Sequence, residues 1–168
     1  GLNRGELIPG HGGHAREGAA GRPGGVEGAG AIEKLGGGVA GFKPGERVMG
    51  RCRGSFSEFA IMDVREALPI PPRLSLEQAA SVPLVFTVVH DMLFAKGHLR
   101  AGESLLVVGV TSGVGVAALQ AAKALGARVL GTSGSSEKIA RLKDIGLDAG
   151  IHTRAADFSG AVMKATGG

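Results

Sequence analysis

A chain of 168 residues, 43% apolar and 20% charged, is long enough for one domain or two small ones with packed cores. Its 19 Lys and Arg against 15 Asp and Glu are scattered, which argues for a solvated surface and against a nucleic-acid partner, while the net charge of +4 suits a phosphate-bearing cofactor. The single Cys52 excludes a disulfide framework or a Cys-rich zinc site within the chain, and no apolar run reaches the roughly 18 residues of a spanning helix, so a reducing, cytoplasmic setting without a membrane is expected.

The 31 glycines concentrate before residue 42, so the two halves of the chain differ in kind. Residues 9 to 30 read as a glycine-rich, linker-like stretch, overlapped from Val26 to Leu35 by a glycine-interrupted strand. Gly36-Gly37-Gly38 and Lys43-Pro44-Gly45-Glu46 are turns, the second followed by a short strand, Arg47 to Met49. Alternation over Phe56 to Met62 predicts another strand. Leu68-Pro69-Ile70-Pro71-Pro72 is expected to close this region, because proline cannot continue a ladder. Short strands with frequent Gly and Pro turns suggest a small β-barrel.

From Ser75 the pattern becomes helical. Ser75 and Gln78 form a capping box, and Pro83 opens a helix that is expected to run to about Lys96 and stop at Gly97. Strand and helix then alternate. Strands are predicted over Ser104–Gly109, Arg128–Thr132 and Ala149–His152, and helices over Val114–Leu125, Ser135–Ile145 and Phe158–Ala165. This order implies a parallel sheet built from right-handed crossovers. Three strands are present where a doubly wound dinucleotide domain has about six.

The first strand leads into Gly109-Val110-Thr111-Ser112-Gly113-Val114-Gly115 and then a helix. A backbone that approaches a pyrophosphate must lack obstructing side chains, and the helix start offers N–H groups and partial positive charge. Aligned on Gly115, the first two glycines of G-x-G-x-x-G fall at Val110 and Ser112, so the pattern is incomplete. Its strand-turn-helix-strand context nevertheless makes Thr111, Ser112, Gly113, Val114 and Gly115 the expected cofactor turn; the competing reading is a plain tight turn. At the end of the second strand, an NAD-binding domain places Asp or Glu. This chain has Thr132-Ser133-Gly134-Ser135-Ser136, with Lys138 nearby. Ser133 and Lys138 suit a 2′-phosphate, so NADPH is expected. Glu137 leaves NADH open, and Ser135 as a helix cap with a solvated Lys138 is the bland alternative.

These residues resemble the medium-chain dehydrogenase/reductase superfamily. The likeness runs through Asn3, Val26-Glu27-Gly28-Ala29-Gly30, Gly41 to Gly50, Gly54 to Ala60, Glu77 to Pro83, and Gly102 to Gly115. The last of these is similar to the quinone oxidoreductase subgroup and to enoyl reductase modules of polyketide synthases. The resemblance implies an α/β chain: a partial GroES-like β-barrel over residues 1–82, then the first half of a Rossmann doubly wound parallel sheet over residues 83–168. Both domains are expected to be incomplete, in a protein that forms a homodimer when full length.

Zinc-dependent relatives carry Gly-His-Glu where this chain has Gly25-Val26-Glu27, and Val26 cannot ligate a metal. The resemblance therefore implies metal-free hydride transfer to a small-molecule quinone or enone. An alcohol or ketone oxidoreductase and a non-catalytic nucleotide-binding member are the alternatives. Asn3 matches the family's Asn near the nicotinamide; a plain turn residue is the competing reading. His14 falls where some enoyl reductases place a Tyr suspected as proton donor; a solvated loop His is the alternative. A family Thr near the nicotinamide maps to Thr87 or Val88, depending on register, with Thr87 bonding its own helix backbone as the other reading.

Overall fold

The structure, a computed structural model, describes residues 1–7 and 24–167. His14 and most of the glycine-rich stretch lie outside the described residues. The chain divides into two compact units, Gly1–Leu84 and Val85–Gly168.

The first unit is an antiparallel sheet of β1 (Glu27–Ala31), β2 (Arg47–Arg51) and β3 (Leu68–Pro69), in that order. β1 and β2 pair from Glu27 with Arg51 to Ala31 with Arg47. The proline-rich segment does not close the ladder but extends it: Pro69 lies opposite Val48 and Leu68 opposite Met49. Proline is tolerated because β3 is a short edge strand, and the next N–H, that of Ile70, supplies the bond to the Arg47 carbonyl at 3.0 Å. The alternation over residues 56–62 does not make a strand. Among the described residues no strand pairs with it, and Phe59 and Ile61 are 67% and 93% exposed. Alternation without a neighbouring ladder leaves the backbone irregular. The short helix α1 (Leu76–Ala79) carries the expected reciprocal Ser75–Gln78 capping box. It delivers buried Ala79 to a core with Met49 and Ile70.

The second unit holds α2 (Pro83–Val89) from Val85 onward, β4 (Ser104–Val107), α3 (Gly113–Leu125), β5 (Arg128–Ser133), α4 (Ser136–Leu142), β6 (Ala149–His152) and α5 (Ser159–Thr166). Its strands form a parallel sheet in the order β4-β5-β6. The helix that begins at Pro83 changes at His90 to π-type winding, which runs to Lys96. The Gly97 N–H reaches back five residues to the Met92 carbonyl at 3.0 Å. A Cβ at Gly97 would stand 2.6 Å from that oxygen, which explains glycine as the stop. Gly126 ends α3 in the left-handed conformation, at φ 90°.

The core of this unit joins Val110, Leu119, Ala122, Val129, Ile139 and Leu142. Val110 is fully buried and occupies the space over Gly131, where a Cβ would lie 2.5 Å from Val110 Cβ. Asp148 fastens the start of β5, accepting from the Val129 N–H at 2.7 Å and from Lys123 Nζ at 2.9 Å. The Val129 N–H and then Lys123 hold the Asp148 carboxyl below its ordinary value of 3.8. A depressed folded-state pKa gives stability that is present above the unfolded value and lost as pH falls through the folded one. Asp148→Ala should cost about 1–2 kcal/mol near neutral pH, chiefly by leaving the Val129 N–H without its acceptor. Urea unfolding should show the gap from the unsubstituted protein narrowing as the pH drops below about 4.

Candidate functional site

The carboxyl ends of β4 and β5 meet at a turn built almost wholly from main chain. Gly109 turns left-handed at φ 74°, which a side chain would strain. Its N–H donates to Thr132 Oγ1 at 3.1 Å, and the Val110 N–H to the Thr132 carbonyl at 3.0 Å, so the end of β5 anchors the turn. Ser112 caps α3: its Oγ accepts from the Gly115 N–H at 3.1 Å. The N–H groups of Gly113 and Val114 stand in the first turn, where a helix has no carbonyl of its own to bond them. They carry the positive end of a 13-residue helix with no acidic residue in its first turn.

The two glycines at the helix start stand in different surroundings. A Cβ on Gly113 would meet only Val85 Cγ1 at 3.9 Å, so this position is open. A Cβ on Gly115 would lie 2.6 Å from the Gly109 carbonyl oxygen and 2.7 Å from the Val110 backbone. Gly115 therefore lets the helix sit against its own turn, rather than clearing space for a ligand. The tight-turn glycine of the incomplete motif is Gly109, one residue before the position expected from G-x-G-x-x-G.

Beside the turn, Thr111 Oγ1 and Ser133 Oγ share a hydrogen bond of 2.8 Å, and Ser133 Oγ also accepts from the Ser135 N–H at 3.2 Å. Ser135 caps α4 through the Lys138 N–H at 3.3 Å. Lys138 is exposed. Arg154, in the loop after β6, lies across Gly134. Its guanidinium donates to the Gly134 carbonyl at 3.4 Å, and a Cβ on Gly134 would meet Arg154 Nε at 2.9 Å. Sequence reading misses Arg154, although loops that follow adjacent parallel strands share one edge of the sheet. Glu137 is engaged with Arg141 at 2.7 Å, an exposed pair one helical turn apart.

The structure thus brings Thr111, Ser112, Gly113, Val114, Gly115 and Ser133 together. Thr87 and Val88 lie on an exposed side of α2, away from Val85 and Val89, which pack on Ala117 and Ala118 of α3. The Thr87 hydroxyl makes no hydrogen bond with a described residue, its own helix included.

In the first unit, Asn3 Nδ2 donates to Glu27 Oε1 at 2.8 Å, and the Leu84 N–H donates to Glu27 Oε2 at 2.7 Å. Glu27 is 2% exposed, a buried carboxylate with two neutral donors. Its only signal in the sequence is its place after Val26 in the stretch that resembles Gly-His-Glu. Cys52 is buried, and burial pushes its thiol pKa up, as suits a small apolar residue. Among the described residues no three His, Cys, Asp or Glu side chains gather to hold a metal ion, and no helix is long and apolar enough to cross a membrane.

Residues 2–72 match the alcohol dehydrogenase GroES-like domain family, and residues 113–168 match the family described as zinc-binding dehydrogenase. The chain is 38% identical over 149 residues to the highly reducing polyketide synthase apmlA of Arthrinium phaeospermum, covering 86% of this chain and 6% of that protein. It is 38% identical over 111 residues to the quinone oxidoreductase of Pongo abelii, covering 65% of this chain and 34% of the relative. Among solved structures it resembles Escherichia coli quinone oxidoreductase complexed with NADPH, with 33% identity and a TM-score of 0.77, over 86% of this chain and 45% of that one. The chain therefore spans less than half the length of these relatives. With a GroES-like unit followed by the first half of a Rossmann sheet, the chain belongs to the medium-chain dehydrogenase/reductase superfamily, alongside its quinone oxidoreductase and enoyl reductase members.

Proposed function

We propose that the protein is an NADPH-dependent oxidoreductase that delivers hydride to a quinone or an α,β-unsaturated carbonyl without a metal. The observation that carries this reading is the anchored turn at 109–115, which leaves the Gly113 and Val114 N–H groups at an unobstructed helix start. A pyrophosphate satisfies both the orphan donors and the helix dipole. Thr111, Ser112 and Gly115 hold that geometry. Ser133, Lys138 and Arg154 supply a hydroxyl and two cations for a 2′-phosphate, and the pairing of Glu137 with Arg141 favours this over NADH. Thr87 or Val88 is the proposed contribution of α2 to nicotinamide binding, and Asn3 is proposed as a catalytic residue. His14 remains the proposed proton donor for an enone; a quinone takes its proton from water.

A nicotinamide, when bound, would supply the hydride, and the part of the residues of the chain would be to bind it, orient it and exclude water. The lack of a ligand at Val26 supports the metal-free reading, as does the similarity to quinone oxidoreductases. We also propose a homodimer, on the family resemblance, and a cytoplasmic setting, on the single cysteine. The test is oxidation of NADPH by purified protein with a quinone, an enone and a simple ketone, in the presence of a chelator. Turnover of the first two is expected. Turnover confined to the ketone, or dependent on added zinc, would replace this reading with an alcohol or ketone oxidoreductase.

A further inference from the structure

We propose that Glu27 is a positioning residue that fixes which way the Asn3 carboxamide faces. This rests on the reductase reading, in which Asn3 borders the reacting groups. An ionised carboxylate only accepts hydrogen bonds. The two donors that converge on Glu27, Asn3 Nδ2 at 2.8 Å and the Leu84 N–H at 2.7 Å, use one oxygen each. At 2% exposure Glu27 is nearly closed to water, so neither donor has a ready substitute. Asn3 must therefore turn its NH2 toward Glu27 and its Oδ1 away. Among the described residues nothing donates to that Oδ1. The amide is half-buried, with one end committed and an acceptor left for a ligand hydroxyl, amide or ordered water.

This polarity is set by residue chemistry and can be inverted. In Glu27→Gln the new amide has one oxygen and one NH2 group. The Leu84 N–H cannot turn, so it keeps the oxygen, and the NH2 then faces Asn3. Asn3 must flip, and its NH2 now points to the ligand. In Asn3→Asp alone, two carboxylates face each other, which like charge disfavours. In the double variant the new amide donates to the new carboxylate, and an acceptor oxygen again faces outward.

Two measurements test this. Exchange of the Asn3 side-chain amide protons, followed by NMR without ligand, should be slow in the unsubstituted protein and faster in Glu27→Gln. Turnover with NADPH and a quinone should fall on the order of tenfold in each single variant and recover at least partly in the double variant. Thermal melting identifies any variant that fails to fold, in which case exchange in the unsubstituted protein decides. Asn3 amide exchange as fast as that of an exposed asparagine, or a folded double variant no better than the single ones, would overturn the assignment. A protein with no turnover at all would count against the reductase reading, while amide exchange still decides the orientation.

Discussion

Replacing Gly115 with alanine is expected to lower stability by about 2 kcal/mol and NADPH affinity by tenfold or more. The added carbon would stand 2.6 Å from the Gly109 carbonyl oxygen and 2.7 Å from Val110 backbone atoms. Backbone cannot rotate out of the way as a side chain would. Val110 cannot retreat either: it is fully buried over Gly131, and its N–H is tied to the Thr132 carbonyl. The start of α3 must then lift from the turn. That breaks the cap from Ser112 Oγ to the Gly115 N–H and re-aims the neighbouring donors. Gly113→Ala is the matched comparison, because its nearest neighbour would be Val85 Cγ1 at 3.9 Å, and its stability should stay close to that of the unsubstituted protein. Urea unfolding and an NADPH titration on both variants check the contrast. Equal stability losses in the two would refute the packing role given to Gly115.

Arg154→Ala is expected to weaken NADPH binding by roughly ten- to a hundredfold, as for loss of a hydrogen bond to a charged group, and NADH binding by less than about twofold. The guanidinium lies over Gly134 at the end of β5, next to the Thr111–Ser133 hydroxyl pair. A 2′-phosphate there presents acceptor oxygens to a planar donor fork, the geometry in which arginine outperforms lysine. NADH lacks that phosphate and so loses nothing specific. Isothermal titration with both nucleotides separates the cases; parallel weakening of the two would place Arg154 in a structural role only.

Much of this was legible in the sequence because local chemistry dictated it. The Ser75–Gln78 box, the stops at Gly97 and Gly126, and the strand Ala149–His152 all follow from capping and periodicity, and each stands where expected. The turn at 109–115 was readable from its context more than from its glycine spacing. What was not legible depended on distant partners. Residues 56–62 alternate as a strand would, yet no described strand lies beside them. Pro69 reads as a terminator, and only its edge position admits it to the sheet. Arg154 is 20 residues from Gly134 in sequence, and Glu27 is 24 from Asn3, so their pairings are set by topology. The division of labour between Gly113 and Gly115 needs the position of Val110, which itself depends on Gly131.

The most direct measurement is an NADPH titration of the 15N-labelled protein, followed by backbone amide shifts. Saturable shifts at Gly113 and Val114, with Ser133 and Gly134 moving more for NADPH than for NADH, are the predicted result. Unmoved Gly113 and Val114 amides at saturating nucleotide, or no binding by a folded sample, would contradict the assignment of this helix start as the diphosphate site.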